Sequence, residues 1–528
     1  MKELKNLPIG IQTFKNMREG NYVYVDKTEH AYRIAKNGGA FFLSRPRRFG
    51  KSLMLSTLHE LFEGNRLLFK DLWIEDKWDW SQRNPVIRFS FDAVDYQGMG
   101  LEKAILWELR RIANEKNIQL SDDSLKTQFK ELIQQLYEKH GKIVILVDEY
   151  DKPIIDFLEK EELHIAKTNQ KIMKSFYSVL KSAEAQIRLL FITGVSKFAQ
   201  VSIFSDLNHL NDLTLHPDYA TITGYTQEEL EANFEDHIKA VAVYQKANYD
   251  ELLVEIKEWY NGFSWDGMNT LYNPFGTLNF LGQKIFKNFW FATGSPTFLI
   301  NLIKEKGVYE YEKKWMDSIS LQRYDLDNLD LEPLMFQTGY LTVKELDITN
   351  GNMLMDYPNR EVREAMYQFL IDATTRNQYT SSSNITIQDL SKAFNSNDLD
   401  KVNLIINALF ADLPSVLYEA NKADKRKEIE LSERFFHSII HLVFKYLGIH
   451  IDSEVNTSFG RADSVVTTAS HVYVFEFKYN RSGKAAFAQI EKKEYGEKYR
   501  STGKTIVGIG VNFGHITRKI NGWVVKNL

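Results

Sequence analysis

The sequence of 528 residues contains no cysteine. This absence excludes disulfides, thiolate-ligated zinc, iron–sulfur clusters and thiol catalysis, and it fits a reducing compartment. No stretch comes near the roughly 18 consecutive apolar residues that a membrane-spanning helix needs. The first residues also lack the apolar core of a signal peptide. We therefore expect a cytoplasmic protein that makes no use of a membrane.

Neither sign of charge is in clear excess, because 66 Lys and Arg residues stand against 70 Asp and Glu residues and leave a net charge of −4. The whole chain is not a polycation, so a nucleic-acid site would have to be a local basic patch. Hydrophobic residues make up 44% and charged residues 26%, which excludes a largely disordered chain. The length predicts about three or four domains.

The first 215 residues alternate between short apolar runs and segments with helical spacing. This pattern predicts an α/β fold with a parallel sheet that is covered by helices on both faces. The predicted strands are 40–44, 86–91, 143–147 and 188–193, and the predicted helices are 52–63, 101–115, 125–139 and 172–185.

The rest of the chain changes character twice. From Thr226, a predicted N-cap with Glu229 completing a capping box, the pattern is mainly helical. Strand signals around Asn350-Gly351 predict a hairpin between helices, as in a winged-helix unit. After a Ser-, Thr- and Asn-rich linker at 374–384, the last hundred or so residues are again α/β. We predict strands at 464–467, 472–477 and 505–511, and helices from Ser432 and at 485–499.

The segment from Ser44 to Ser52, with the sequence SRPRRFGKS, lies between a predicted strand and a predicted helix. This context suits a phosphate-binding loop, in which backbone N–H groups and the helix N-terminus hold phosphates. Lys51 would reach the β and γ phosphates, Ser52 would ligate Mg²⁺, and Gly50 would let the backbone approach closely. Arg47 and Arg48 could face phosphate or simply solvate the loop, and Phe49 is the remaining residue that we assign to this site. Because Arg45 replaces the usual first glycine, the loop alone also fits a basic turn that caps a helix.

Two acids follow the apolar strand at 143–147. Asp148 could hold the Mg²⁺ shell, and Glu149 could orient the attacking water. Together with the loop, they predict an ATP and Mg²⁺ site that hydrolyses the nucleotide. Thr193 ends the next strand and could sense the γ-phosphate, although a simple strand-to-loop turn fits as well.

A second group of acids lies near the C-terminus. Alternation along the strand puts Glu476 and Lys478 on one face with Phe477 in the core, and Asp463 lies one strand and one turn earlier. Asp463 and Glu476 would bind Mg²⁺, and Lys478 would lower the pKa of the attacking water and steady the scissile phosphate. Glu433 could complete the metal shell.

Gln489, on the helix predicted at 485–499, could hold a phosphate oxygen. From Lys478 to Leu528, 11 Lys or Arg residues and 3 Asp or Glu residues leave a basic excess that suits a phosphate backbone. Taken alone, Glu476 and Lys478 also fit a salt-bridged strand end. Glu433, His437 and His441 share a helix face, but packed histidines explain them better than a zinc site.

With both motif sets in view, the chain resembles the bacterial AAA-ATPase-like family that carries a C-terminal PD-(D/E)XK nuclease superfamily domain. The resemblance covers nearly the whole chain. The motifs that carry it are Tyr24-Val-Asp-Lys-Thr28, Arg45–Ser52, Val147-Asp-Glu-Tyr-Asp151, Tyr272-Asn-Pro-Phe275, Phe336-Gln-Thr-Gly-Tyr340, Gly460-Arg-Ala-Asp463 and Glu476-Phe-Lys478. Arg45 matches this family's own loop, whereas Ala462 stands where the superfamily usually has proline.

The resemblance implies a P-loop domain at 1–225, a helical lid at 226–330, a winged-helix-like region at 331–373, a linker and helical connector at 374–428 and a nuclease-like domain at 429–528. It also implies that Pro296 lies near adenine, as in a lid motif of related signal-transduction ATPases. An arginine finger could come from a neighbouring subunit, so the resemblance is compatible with a homo-oligomer.

Two functions follow as hypotheses. The first is an ATP-controlled, Mg²⁺-dependent nuclease that acts on nucleic acid, with DNA as the expected partner. The second is a nucleotide-switched DNA-binding or scaffold protein whose nuclease fold is catalytically silent. The two hypotheses share the front of the chain and differ at Asp463, Glu476 and Lys478.

Overall fold

The computed structural model of the protein describes residues 4–197, 203–204, 210–291, 297–306, 311–318, 320–322, 326, 329–374, 383–411, 436, 439–448, 452–455, 464–514, 517 and 519–528. The chain divides into two compact units. The first comprises Met1–Leu299 and Tyr311–Val362, and the second comprises Ile300–Glu310 and Arg363–Leu528.

Helices are spread along the whole described chain. In chain order they are α1 (Phe14–Glu19), α2 (Thr28–Asn37), α3 (Lys51–Phe62), α4 (Tyr96–Met99), α5 (Leu101–Glu115), α6 (Leu125–His140), α7 (Lys152–Ile155), α8 (Leu163–Ser182), α9 (Gln227–Gln245), α10 (Tyr249–Tyr260), α11 (Pro274–Gln283), α12 (Thr297–Lys306), α13 (Leu331–Thr338), α14 (Arg360–Thr374), α15 (Ser383–Asn395), α16 (Leu399–Ala411) and α17 (Gly483–Lys492).

The framework of the first unit is a five-stranded sheet in which every neighbouring pair of strands is parallel. Its strands are β1 (Gly39–Ser44), β2 (Val86–Ser90), β3 (Ile143–Asp148), β4 (Ile187–Gly194) and β5 (Leu210–Asp212). They lie in the order β2-β3-β4-β1-β5. β3 is buried along all six residues, as expected for a strand that is covered on both faces. The predicted parallel α/β sheet is therefore confirmed.

Two elements of this region differ from the prediction. β5 was not predicted, because it has only three residues and none of them is fully buried. α8 begins at Leu163, well before the predicted start at 172. The polar residue Asn169 interrupts the apolar stripe there, but it is buried and its side chain donates a hydrogen bond to the carbonyl of Pro153.

α9, α10 and α11 form the helical part of the first unit. Thr226 caps α9, and its side chain and that of Glu229 make the predicted reciprocal capping box. Asn248 and Asn273 cap α10 and α11, where their side-chain oxygens accept hydrogen bonds from backbone N–H groups of the first turn. Because Val23 and Val25 are buried in the core of these helices, the N-terminal segment belongs to the same packing unit.

A small antiparallel sheet follows in the first unit. Its strands are β6 (Lys314–Asp317), β7 (Thr342–Asp347) and β8 (Asn352–Asp356), in the order β6-β8-β7. The β7–β8 hairpin turns at Gly351, where φ is +70°, so the predicted hairpin is confirmed. β6 pairs with the far edge of β8 and was not predicted.

The second unit contains a mixed five-stranded sheet. Its strands are β9 (Asp452–Val455), β10 (Ser464–Thr467), β11 (His471–Tyr479), β12 (Thr505–Gly514) and β13 (Lys519–Asn527), in the order β13-β12-β11-β10-β9. β11 and β12 are parallel, whereas the other pairs are antiparallel. The three predicted strands are confirmed. Most of the predicted linker at 374–384 lies outside the described residues.

The prediction of one helix over 485–499 was wrong, because the helix is shorter. α17 ends at Lys492, Glu494 adopts a left-handed φ of +50°, and a 3-10 turn follows at Glu497–Thr502. Apolar residues continue at helical spacing through this break, which is why the pattern predicted one long helix. Tyr495 therefore does not lie on α17.

Candidate functional site

The loop between β1 and α3 surrounds a buried lysine. The ammonium of Lys51, the first residue of α3, donates to the carbonyls of Arg45 at 2.8 Å and Pro46 at 2.9 Å. Gly50 precedes it with a left-handed φ of +88°, although a Cβ there would meet nothing within 4 Å. Glycine is thus needed at this position for its backbone conformation rather than for space.

Lys51 shares its surroundings with the acids at the end of β3. Burial lowers the pKa of Lys51, while Asp148, Glu149 and Asp151 act in the opposite direction. The structure therefore brings the predicted loop lysine and the predicted acids together, as the strand order requires.

Thr193 lies between the loop strand and the acids, because β4 is inserted between β1 and β3. Its hydroxyl donates to Oδ1 of Asp148 at 2.7 Å, and both side chains are buried. The register pairs Thr193 with Leu43, the residue that precedes the loop segment beginning at Ser44. Because Thr193 is fully buried, its link to a group bound at this site runs through Asp148.

Glu149 has an unusual backbone conformation, with a left-handed φ of +49°. Such a conformation is uncommon for a residue with a side chain and often marks a functional site. Burial raises the pKa of the Glu149 carboxyl, Lys51 opposes this, and the nearby charges of Asp148, Asp92 and Asp151 add to it.

A cavity of about 440 Å³ joins these residues. One part is polar and is lined by Arg47–Ser52 together with Asp92, Asp148 and Glu149. The other part carries apolar side chains from the N-terminal segment and the helical region, namely Ile9, Ile11, Val23, Val25, Tyr225, Phe275 and Leu278. The combination suits a ligand with a charged end and an apolar end.

The N-terminal contribution to this cavity was missed by the sequence analysis. The motif Tyr24-Val-Asp-Lys-Thr28 was noticed without a role. In the structure, the ammonium of Lys27 donates to Glu229 at 2.7 Å and to the carbonyl of Thr221 at 2.8 Å. Lys27 thereby ties the N-terminal segment to the capping box of α9 and closes one wall of the cavity.

The three residues before Gly50 have different surroundings. Arg47 and Arg48 are exposed at the cavity, and the guanidinium of Arg48 lies 5.3 Å from the ring centre of Phe275. The side chain of Phe49 is fully buried and packs edge-on against Phe263 and Trp265. Any contact between Phe49 and a ligand would therefore come from its backbone.

Arg45 explains why the loop can lack its usual first glycine. Its guanidinium is fully buried and donates to the carbonyls of Ser44, Thr214 and Tyr219 at 2.9, 2.9 and 3.1 Å. It also lies 4.0 Å from the ring centre of Trp265. Burial lowers the pKa of Arg45 to about 9, so the side chain remains charged at neutral pH.

In the second unit, Glu476 and Lys478 occupy one face of β11. The Lys478 ammonium lies 2.7 Å from Oε1 of Glu476, which is almost completely buried. Phe477 packs on the other face against Phe444. The predicted alternation is confirmed, and the pair forms a short ion contact.

The other residues predicted for this second site are only partly accounted for. Gln489 lies on α17, and its side-chain amide donates to the hydroxyl of Tyr495 at 3.3 Å. Asp463 and Glu433 lie outside the described residues, as does Pro296 of the first site. Ser464, which follows Asp463 in sequence, pairs with Phe475, which precedes Glu476.

Two further features are absent from the described residues. No cluster of three or more His, Asp or Glu side chains there is arranged to hold a metal ion. In the same part of the chain, no helix combines the length and the apolar character that crossing a membrane requires.

Two family models match the chain. Residues 8–204 match the AAA-ATPase-like family, described as predicted AAA-ATPase, and residues 431–523 match the PD-(D/E)XK nuclease superfamily. The chain is also 36% identical over 541 residues to the uncharacterized protein in vnfD 5'region of Azotobacter chroococcum mcd 1, and the match covers 99% of each chain. The two family models agree with the resemblance that the motifs carry.

Two solved structures from Aeropyrum pernix are similar at low identity. One is the ORC2 protein in ADPNP-ADP complexes, at 11% identity and a TM-score of 0.30, covering 67% of this chain and 97% of that chain. The other is the ORC1 protein in complex with DNA, at 10% identity and a TM-score of 0.27, covering 67% and 95%. With TM-scores below 0.5, neither likeness supports a conclusion about this protein.

Proposed function

The chain belongs to the predicted AAA-ATPase family with a C-terminal PD-(D/E)XK nuclease superfamily domain, and from this membership we propose an ATP-controlled nuclease. The first unit binds and hydrolyses ATP with Mg²⁺. Its nucleotide state controls a Mg²⁺-dependent, DNA endonuclease-like domain that cleaves phosphodiester bonds. The observation that carries the proposal is the meeting of Lys51, Asp148 and Glu149 at one cavity, with the buried Thr193 hydrogen-bonded to Asp148 behind it.

In the first site, backbone N–H groups of the phosphate loop and the Lys51 ammonium hold the β and γ phosphates. Lys51 must exchange the carbonyls of Arg45 and Pro46 for phosphate oxygens, so the loop changes its internal contacts when ATP binds. The Ser52 hydroxyl and the Asp148 carboxylate are oxygen donors of the kind that Mg²⁺ prefers. When bound, Mg²⁺ neutralises charge on the phosphate oxygens.

Glu149 orients the attacking water and accepts its proton. The raised pKa of this carboxyl, which burial causes, makes it a better base than an exposed glutamate. Thr193 senses the γ-phosphate through Asp148, to which its hydroxyl donates a hydrogen bond. The apolar wall with Ile9, Ile11 and Phe275 accommodates the base, and Pro296 is assigned to the adenine side as well.

In the second site, Glu476 and Asp463 hold Mg²⁺ with Glu433 completing the shell. Their carboxylate oxygens are again suitable donors for this ion. Lys478, which now contacts Glu476, steadies the charge on the scissile phosphate and lowers the pKa of the attacking water. Gln489 holds a phosphate oxygen, and the basic C-terminal segment attracts the DNA backbone. We place this activity in the cytoplasm. A homo-oligomer would allow a neighbouring subunit to supply an arginine finger.

A plasmid assay tests the coupling. The full chain is incubated with supercoiled plasmid and Mg²⁺, with and without ATP, beside Glu476→Ala and Lys51→Ala variants. We expect ATP-dependent nicking or linearisation that Glu476→Ala abolishes and that no longer responds to ATP in Lys51→Ala. An exchange for alanine of the exposed Lys130 on α6, which lies outside the cavity and outside the basic C-terminal segment, serves as a matched control for loss of a basic residue. Intact plasmid under every nucleotide condition would contradict the proposal.

A second candidate function is a nucleotide-switched DNA-binding or scaffold protein with a silent nuclease fold. Ala462, in place of the usual proline beside Asp463, favours it, as does the close contact of Lys478 with Glu476. This candidate predicts salt-sensitive, ATP-dependent DNA binding without cleavage. Mg²⁺-dependent cutting that is lost in Asp463→Ala would exclude it.

A further inference from the structure

The corner between α13 and β7 has no role in the nucleotide site proposed above. It consists of Phe336–Tyr340, and we refer to it as the 336–340 corner. All of its residues except Thr338 are buried. Its sequence is one of the motifs that carry the family resemblance, yet none of its side chains lines the cavity.

The first contact of the corner reaches the segment that follows β4. The Gln337 side-chain oxygen accepts a hydrogen bond from the backbone N–H of Lys197 at 2.8 Å. The side-chain amide nitrogen of Gln337 donates to the carbonyl of Leu321 at 3.2 Å. Each end of the buried amide has a partner of the matching kind, so both its position and its orientation are determined.

Lys197 is closely linked to the proposed hydrolysis site. It lies four residues after Thr193. The residues between them are held by Asp151, which accepts from the backbone N–H of Val195 at 3.1 Å and of Ser196 at 2.6 Å. Asp151 itself lies only two residues after Glu149. A shift of Thr193, or of the acids that follow β3, would therefore move the backbone N–H of Lys197. That group donates the hydrogen bond that Gln337 accepts.

The second contact reaches the phosphate loop. Gly339 has a left-handed φ of +91°, and a Cβ there would lie 2.7 Å from a ring carbon of Pro46. Pro46 is one of the two residues whose carbonyls hold Lys51. Beside it, the Trp290 indole N–H donates to the carbonyl of Arg47 at 3.0 Å, and its ring packs on Tyr340.

From these two contacts we propose that the 336–340 corner senses the nucleotide and transmits its state to the β7–β8 hairpin, with Gln337 as the positioning residue. This inference rests on the proposed ATP site. ATP draws Lys51 away from the carbonyl of Pro46 and engages Asp148, which accepts the hydrogen bond of the Thr193 hydroxyl, so both segments that touch the corner change together. The hairpin begins two residues after the corner, where the Thr342 hydroxyl exchanges hydrogen bonds with the backbone of Ser264.

Hydrogen exchange on the full chain, with and without Mg²⁺-ATP, tests the inference. Peptides from the phosphate loop report binding, and peptides from 342–356 report transmission. In the wild type we expect ATP to change exchange in both regions. In Gln337→Met, ATP at saturation should still protect the loop, whereas the hairpin response should be lost. The kcat for ATP should fall about tenfold with KM nearly unchanged, and this change lies within the usual range of coupling between sites.

Two further variants separate transmission from packing. Gln337→Glu keeps the oxygen that accepts from Lys197, so it retains more of the hairpin response than Gln337→Met. If the corner served only packing, the apolar methionine would be tolerated better, and the order would reverse. Gln128→Met is the matched control, because Gln128 is a buried amide that accepts from Arg110 and donates to the carbonyl of Asp123. Its hairpin response should equal that of the wild type.

The results distinguish the two levels of the argument. No protection of the phosphate loop by ATP in the wild type would overturn the proposed ATP site, and the inference with it. Loop protection with an unresponsive hairpin, or a hairpin that responds in Gln337→Met as it does in Gln128→Met, would overturn the inference alone. Circular dichroism confirms that each variant is folded, and should Gln337→Glu not fold, Gln337→Met compared with Gln128→Met decides.

Discussion

Replacing Arg45 by glycine would restore the usual first residue of a phosphate-binding loop, and we predict that it destabilises the protein. Arg45 is fully buried and donates three hydrogen bonds to the carbonyls of Ser44, Thr214 and Tyr219, while its guanidinium faces the ring of Trp265. The glycine variant loses all of these interactions and leaves three carbonyls without this donor.

The magnitude follows from opposing contributions. Three hydrogen bonds from a charged donor are worth roughly 2 kcal/mol each, and stacking on a buried tryptophan adds roughly 1–2 kcal/mol. Glycine also makes the unfolded chain more flexible, which lowers the free energy of unfolding by about 1 kcal/mol. Against this, the variant no longer buries a charge. The lowered pKa of Arg45, about 9, corresponds to a burial cost on the order of 5 kcal/mol. The net destabilisation is about 3–4 kcal/mol.

Urea denaturation followed by tryptophan fluorescence measures this change. With a slope of about 3 kcal/mol per molar urea, the midpoint should fall by about 1 M. Arg47→Gly is the matched control, because it makes the same substitution in the same loop at an exposed arginine. The control should shift the midpoint only slightly. An Arg45→Gly variant as stable as the wild type would refute the assignment of Arg45 as the anchor of the loop.

Three further predictions concern other parts of the chain. Burial raises the pKa of Glu361 to about 8, so the folded state binds the proton more tightly than the unfolded state, and stability should fall as pH rises from about 4.5 to 8. Glu361→Gln should remove this slope and be more stable than the wild type at pH 8, by on the order of 4 kcal/mol in thermal or urea unfolding. Thr193→Val loses the hydrogen bond to Asp148 and should lower kcat for ATP about tenfold or more while ADP affinity, measured by calorimetry, stays close to that of the wild type. Gly510→Ala would place a Cβ 2.5 Å from the carbonyl oxygen of Gly483, so the second unit should lose about 2–3 kcal/mol of stability in urea unfolding.

Each of these predictions has a control and a contradicting result. Glu361→Asp keeps the acid, so its stability should still depend on pH, and a pH slope unchanged in Glu361→Gln would contradict the first prediction. Thr193→Ser retains the hydroxyl and should retain turnover, whereas equal loss in Thr193→Ser and Thr193→Val would show that the hydroxyl is not what matters. Gly496→Ala places a Cβ against side chains only, Leu528 at 3.1 Å and Ile506 at 3.3 Å, and should cost much less than the backbone clash at Gly510. If Gly496→Ala and Gly510→Ala destabilised the second unit equally, the packing argument would be contradicted.

The sequence predicted best those features that depend on residues adjacent in the chain. The buried strand β3 and its two acids, the loop from Ser44 to Ser52 and the capping box of Thr226 all follow from neighbouring residues, and the structure confirms their location. Parallel strand order then brings the loop and the acids together. These features could be predicted because each depends on a few adjacent side chains.

Features that depend on distant partners could not be predicted. Arg45 looked like a missing glycine, because the carbonyls that it binds come from Thr214 and Tyr219, far along the chain. The apolar wall of the cavity combines Ile9 with Phe275, which no spacing rule connects. The end of α17 was missed for the opposite reason, since apolar spacing continues through a left-handed residue, Glu494, that breaks the helix.

The most direct test of the account is nucleotide binding and turnover by the Glu149→Gln variant of the full chain with Mg²⁺. The account predicts that this variant binds ATP within about threefold of the wild type but hydrolyses it roughly a hundredfold more slowly, since the cradle is intact and only the base is lost. Turnover equal to that of the wild type, or a wild type that does not bind ATP, would contradict it.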